Sequence, residues 1–381
     1  MTNYRSLHDL RLQLGAITVI TGANGTGKSG LYRALRLLAD CASGGVIGSL
    51  AREGGLSSVL WAGPEQIGRS VRFGEHPVQG TRRSGPVNLQ LGFAADDLSY
   101  LIDLGLPQPS DSAFGLDPEI KREIIWSGPV LRPATTLVRR RRGLVEVHDD
   151  TGRGWARYDR ELLPYESVLT EVVDPYRAPE LIALRRQIQS WRFYDHLRTD
   201  AGAPGRTPQL GTRTPVLDHD GRHLAAALQT IIEVGDANGL HAHLTDAFPG
   251  SHLHIAESDG RFDVRLQTPG LLRPLSSAEL SDGTLRYLLL TAALLSPRPP
   301  ELLVLNEPET SLHPDVRRPL ARLIRAAGAR SQIVVVTHAQ DLVEALTGDD
   351  VSSIELTKNV GETSVVGVGP FDQPVWSWGA R

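Results

Sequence analysis

Short runs of β-branched and aliphatic residues alternate along the chain with longer stretches whose apolar positions recur every three or four residues. That alternation is the pattern of an α/β fold. Residues 17–21 (ITVIT), 301–306 (ELLVLN) and 332–337 (QIVVVT) are continuous apolar runs of strand length, expected as buried strands of a parallel sheet. After the first run, Leu31, Ala34, Leu35, Leu37 and Leu38 recur at helical spacing. Residues 285–295 form an apolar helix behind Leu280-Ser281-Asp282-Gly283-Thr284. Between these ends, residues 135–148 (TTLVRRRRGLVEVH) read as two strands joined near Arg142 and Gly143, with the arginines divided between both faces and some in solvent. Leu181, Leu184, Ile188, Trp191 and Tyr194 fall on one helical stripe, with Arg185, Gln189, Arg192 and His196 on a neighbouring polar face.

The chemistry sits where the strands end. Gly22-Ala23-Asn24-Gly25-Thr26-Gly27-Lys28-Ser29 follows the first strand and opens the first helix, which is GxxxxGK[ST] in its required context. Glycines let backbone N–H groups turn toward phosphate at a helix N-terminus, a lysine neutralises β and γ oxygens, and a hydroxyl ligates magnesium. Glu307 closes the 301–306 strand at the edge where catalytic groups of a parallel sheet gather, and His338 closes the 332–337 strand. Ser281 stands at a helix N-terminus suited to an anion.

In this order the segments resemble the ABC-class ATPases, and among them the RecF/SMC-like branch of P-loop proteins. Residues 22–29 match Walker A, LSDGT at 280–284 the signature loop, LLVLNEPE at 302–309 Walker B, and His338 the switch histidine; Thr310-Ser311-Leu312-His313 lies where the D-loop falls. The opening Asn3-Tyr4-Arg5-Ser6-Leu7 and the stretch EPETSLHP look like a bacterial group of single-chain AAA-family predicted ATPases. The resemblance spans about residues 1–60 and 270–346. It implies ATP and Mg²⁺ as ligands. Lys28 and Ser29 would bind phosphate and magnesium, Glu307 would polarise the attacking water, and His338 would sense the γ-phosphate. Ser281 and Gly283 would act on the nucleotide of a second subunit, so a homodimer closing on two ATP molecules is expected. Asn306 departs from the pattern, standing where Walker B has an aspartate. An amide oxygen accepts a hydrogen bond from a metal-bound water but adds no negative charge, so weaker magnesium binding is expected. Retention of Glu307 indicates an active, slow ATPase, the alternative being a binding switch with little turnover. Gln66, Gln79 and Gln90 are all candidates for the Q-loop.

From Lys28 to Ser281 is 253 residues, far more than a compact transporter cassette places between these motifs. The expected architecture is a P-loop NTPase of ABC/RecF-like head type. Its ATPase head is built from residues 1–95 and 250–381, with an α+β lid inserted at 96–249. The Walker A and Walker B strands are expected to be neighbours in one sheet. No sustained heptads occur and prolines punctuate the insertion, so an SMC-like coiled-coil arm is excluded. Residues 199–214, rich in Gly, Pro and Thr, are the expected mobile loop.

Composition narrows the partners. A formal net charge of −4 gives the whole molecule no electrostatic case for DNA. The lid arginines are therefore either a phosphate-backbone contact or a face paired with acids such as Asp149 and Asp150, the second being favoured. Trp61, Trp155, Trp376 and Trp378 read as packing residues, and His252 and His254 lack the companions of a metal site. A single cysteine, Cys41, excludes an internal disulfide and points to a reducing cytoplasm. The longest apolar run, 287–295, is far shorter than the roughly 18 residues of a membrane helix, so no membrane association is expected. Two functions remain: an ATP-driven dimerising enzyme of DNA repair or anti-phage defence, or a regulatory ATPase subunit controlling a separate effector such as a nuclease. The residues after His338 are too few for an attached Toprim domain, so a nuclease would act in trans.

Overall fold

A computed structural model describes residues 1–64, 87–109, 111–148, 154–195, 197–369 and 372–379. The chain forms two compact units. One comprises residues 1–13, 22–190 and 355–381, the other residues 14–21 and 191–354.

The first unit is built on an eight-stranded antiparallel sheet. Its strand order is Leu7–Asp9, Thr2–Tyr4, Leu89–Phe93, Leu98–Gly105, Glu119–Ser127, Thr136–Arg141, Leu144–His148 and Trp155–Arg157. The arginine run behaves as its alternation requires. Thr136–Arg141 pairs with Leu144–His148 in the register Arg139↔Glu146 and Arg141↔Leu144, turning through Arg142. Arg140 points inward and is fully buried, where it binds Glu123 at 2.8 Å and the carbonyl of Leu163 at 2.8 Å. Glu123 in turn accepts from the Tyr100 hydroxyl at 2.7 Å, so the buried charges are paired and hydrogen-bonded. Arg139 points outward, pairs with Glu146 at 2.7 Å and lies 4.0 Å from the Trp155 ring. Helix Lys28–Cys41 buries Leu31, Ala34, Leu35, Leu37 and Leu38, the positions whose spacing predicted it. Cys41 is its last residue; the thiol is buried, donates to the Leu37 carbonyl, and burial pushes its pKa up.

The helical stripe read across residues 181–194 is shorter than expected. Helix Pro179–Ser190 buries Leu181, Leu184 and Ile188 and then stops, while Arg192–Tyr194 is a strand. It pairs in parallel with Leu302–Asn306 in the register Phe193↔Val304, and that pairing overrides the helical spacing of Trp191 and Tyr194. His196 lies outside the described residues, as do Asp149 and Asp150.

In the second unit a parallel sheet runs in the order Arg192–Tyr194, Leu302–Asn306, Gln332–Val336, Ile17–Gly22, the last strand ending one residue beyond the unit. The Walker strands therefore share one sheet, as 279 intervening residues had to permit, but they are not neighbours. Gln332–Val336 lies between them and pairs with both. This strand order has a chemical consequence, because the intervening strand is the one that leads into Thr337 and His338. Helix Asp282–Leu294 is buried on nearly every side, as an apolar helix inside a layered core must be. With Leu285, Leu288, Leu289 and Leu290 almost wholly excluded from solvent, each leucine contributes about 2 kcal/mol of burial. Helix Pro314–Gly328 and helix Leu224–Val234 complete that core. A smaller antiparallel group, His252–Ser258 against Arg261–Gln267, contains His252 and His254; His252 stacks on His241 with ring centroids 5.7 Å apart.

Candidate functional site

Strand register puts three chain segments at one level of the parallel sheet. Asn306 pairs with Val336 and Val336 with Ile20, so Glu307, Thr337 and Thr21 each leave the same edge one residue later. With strands about 4.8 Å apart, the ends of the outer two are separated by roughly 10 Å.

The glycine loop leaves the Ile17–Gly22 strand. Gly22, Gly25 and Gly27 have φ of 143°, 81° and 108°, which side-chain-bearing residues rarely adopt. At Gly27 space forbids a side chain as well, since an added Cβ would lie 3.0 Å from the Ser6 hydroxyl. Gly27 caps the helix without a side-chain hydrogen bond among the described residues, leaving first-turn N–H groups for an anion. Thr363 braces the loop by donating to the Thr26 carbonyl at 2.7 Å. The Lys28 side chain is largely buried and its ammonium donates to the carbonyls of Gly22 at 2.5 Å and Ala23 at 3.1 Å, so its charge is held over the loop. Ala23, Asn24 and Ser29 are exposed. Glycine cradle, uncapped helix, held ammonium and exposed hydroxyl fit a magnesium-bound nucleoside triphosphate.

In the second unit Glu307 has φ of 46°, a left-handed conformation unusual for glutamate. Three backbone hydrogen bonds hold it there. Its N–H donates to the Val336 carbonyl at 2.8 Å, and its carbonyl accepts from the Thr310 N–H at 3.2 Å and from Arg286 Nη2 at 3.0 Å. Its side chain is half-exposed with Oε1 3.4 Å from His338 Nδ1. Sequence reasoning missed two residues of this cluster, Glu309 and Arg286. Buried Glu309 accepts from the Thr337 hydroxyl at 2.5 Å and has an oxygen 3.8 Å from His338 Nδ1. Arg286 also donates to the Leu197 carbonyl at 2.9 Å. Burial pulls its guanidinium below the ordinary arginine value, while the carboxylates of Glu309, Glu307 and Asp195 oppose the shift. The available signal for Arg286 was a charge inside an otherwise apolar helix.

Ser281 caps helix Asp282–Leu294, accepting from the Thr284 N–H at 3.1 Å, and is exposed. Gly283 packs so closely that a Cβ would lie 2.8 Å from the Ser311 carbonyl. Asn306 is the half-buried last residue of its strand. Gln90 is buried and donates to Asp103 at 2.8 Å, whereas Gln66 and Gln79 lie outside the described residues. The large cavity of about 1150 Å³ in the first unit, lined by residues such as Leu106, Phe114, Lys121 and Tyr165, contains none of the site residues named from sequence. No helix among the described residues is long and apolar enough to cross a membrane.

The glycine loop has the backbone of a phosphate-binding loop, and the parallel sheet of the second unit carries an acid and a histidine at its strand ends. The chain belongs to the family described as "AAA domain, putative AbiEii toxin, Type IV TA system", whose model matches residues 17–344. No curated protein matches it. Among solved structures it is similar to an Smc head bound to the C-terminal winged-helix domain of ScpA (13% identity, 96% of this chain and 95% of that one, TM-score 0.47). It is also similar to the SMC head domain from Thermotoga maritima (14% identity, 97% of each chain, TM-score 0.43). A third is an Smc head with an extended coiled coil bound to the C-terminal domain of ScpA, derived from Pyrococcus furiosus (13% identity, 96% and 94%, TM-score 0.47).

Proposed function

We propose that this protein hydrolyses ATP with magnesium and closes into a homodimer around bound ATP. The observation that supports the reading is the common register of Asn306, Val336 and Ile20, which ends the strands before Glu307, Thr337 and Thr21 at one level of one sheet. Lys28 and the first-turn amides bind the phosphates, and the Ser29 hydroxyl and Asn306 hold the metal, directly or through water. Magnesium supplies charge neutralisation on the phosphate oxygens. Glu307 accepts the proton of the attacking water, and His338, within reach of Glu307 and Glu309, donates toward the γ-phosphate. Ser281 and Gly283 receive the nucleotide of the second copy. The test is phosphate release by the purified protein, expected to require ATP and to stop when magnesium is chelated; no release, or release indifferent to magnesium, would sink the reading.

The work to which hydrolysis is coupled is either a DNA transaction in repair or defence, or control of a separate effector such as a nuclease. One observation favours the second. Many lid arginines are already paired: Arg139 with Glu146, Arg140 with Glu123, Arg160 with Glu166 and Glu171, and Arg177 with Asp159 and Asp174. Paired guanidinium groups release few phosphate counterions on binding. Weak DNA affinity with a shallow salt dependence is expected; a steep fall in affinity with salt would favour the first.

Asn306→Asp restores one negative charge at the strand end and is expected to lower the magnesium concentration at half-maximal ATP binding about fivefold, equivalent to about 1 kcal/mol. Magnesium titrations of nucleotide binding in the two proteins check this. Coincident midpoints would show that the metal does not sense residue 306.

A further inference from the structure

The helix that begins after Ser281 opens on a carboxylate, Asp282, directly beside the serine and amides that the proposed function gives to a polyanion. An acid in a first turn favours the helix but opposes an incoming phosphate. Three residues earlier Glu279 adds a second acid to the same loop. Each has an arginine of its own. Glu279 is held by Arg273 at 2.6 Å, which keeps its carboxyl down at about 2, and Asp282 by Arg206 Nη2 at 2.5 Å.

Arg206 is the more telling of the two. Its side chain is only 10% exposed while that of Asp282 is 59% exposed, so a nearly buried guanidinium supports an acid at the surface. Its remaining donors fasten the backbone that leads into the serine. Nη1 donates to the carbonyls of Leu280 at 2.7 Å, Ala278 at 3.3 Å and Ser277 at 3.5 Å, and Nε to that of Thr199 at 2.8 Å. Residues 199–214, whose glycine, proline and threonine content marked them as the expected mobile loop, thus deliver a hydrogen-bonded cation to the signature segment.

We propose that Arg206 is a positioning residue for the phosphate-receiving loop. It cancels the charge of Asp282 and fixes residues 277–282, so that the nucleotide phosphate of a second copy of this chain can approach Ser281. The inference rests on the ATP-closed dimer proposed above. Asp282, in this account, is kept as a helix-starting acid only because Arg206 silences it toward the ligand.

The test compares ATP-driven dimerisation of the full chain, measured by sedimentation, for the unmodified protein, Arg206→Gln, Asp282→Asn and the double variant, with ATP affinity titrated in each. Arg206→Gln is expected to weaken the ATP-dependent dimer about tenfold, the effect of uncovering one charge at short range, while ATP affinity of the single chain is unchanged. Asp282→Asn alone is expected to tighten the dimer, and the double variant to recover to within about threefold of the unmodified protein, since the two residues are coupled. A double variant as weak as Arg206→Gln would overturn the inference, because Arg206 would then act through the loop carbonyls alone. A loss of dimer in Asp282→Asn would overturn it too, and that variant decides the matter even if Arg206→Gln does not fold, since misfolding produces no gain. If the unmodified protein stays monomeric with ATP, the dimer reading itself fails and carries this inference with it; dimerisation without coupling between the two residues removes only the inference.

Discussion

Replacing Glu307 by Gln is expected to leave ATP bound and to stop its hydrolysis. The amide is nearly isosteric, and the backbone that places it is unaffected. The left-handed φ of 46° is maintained by the Val336 carbonyl, the Thr310 N–H and Arg286, each hydrogen-bonded to the Glu307 backbone. What disappears is the carboxylate proposed to take a proton from water, worth about 10² to 10⁴ in rate for a positioned general base. Steady-state turnover should fall by that order while the dissociation constant for ATP stays within about twofold of the original, since ground-state contacts are kept. Ordinary turnover in this variant would mean that another group, with buried Glu309 the nearest candidate, is the base.

Lys28→Ala is expected to remove ATP binding itself. The ammonium is the principal positive charge of the glycine loop, already held by the carbonyls of Gly22 and Ala23 and needing no search through rotamers. In the proposed site its loss removes charge-assisted hydrogen bonds to the phosphates and should weaken binding by about a hundredfold or more, so that no complex forms at ordinary nucleotide concentrations. The glycines, the Thr363 brace and the helix start remain, so the variant should fold and melt like the parent. A fluorescent-nucleotide titration in parallel with a thermal melt separates these effects. Binding within about threefold of the original would contradict the assignment of the loop.

Much of the parallel sheet was legible because its strands are long uninterrupted apolar runs closed by chemically distinctive residues. Residues 17–21, 301–306 and 332–337 need no tertiary information to be read as buried strands, and all three are strands. Their order was not legible. Nothing in the runs themselves says that Gln332–Val336 inserts between the other two, because strand order depends on where the connecting helices pack. Arg192–Tyr194 escaped notice for another reason. Three residues are too few to display a period, and their spacing continued the stripe of helix Pro179–Ser190. Ser281 as a helix cap was readable from local sequence, since capping is a short-range interaction. Arg206 and Asp282 lie 76 residues apart and Arg140 and Glu123 lie 17 apart, and such pairs are made by the fold alone.

The central claim is that ATP, and not its hydrolysis, joins two copies of this chain, and the mass of the Glu307→Gln protein in solution tests it most directly. Sedimentation or light scattering should give the 41.4 kDa of a single chain without nucleotide and twice that mass with ATP and magnesium. Adding Ser281→Arg, which places bulk and charge at the proposed contact, should return it to the single-chain mass. A mass that stays at one chain with saturating ATP, or that is doubled whether ATP is present or not, would contradict the account.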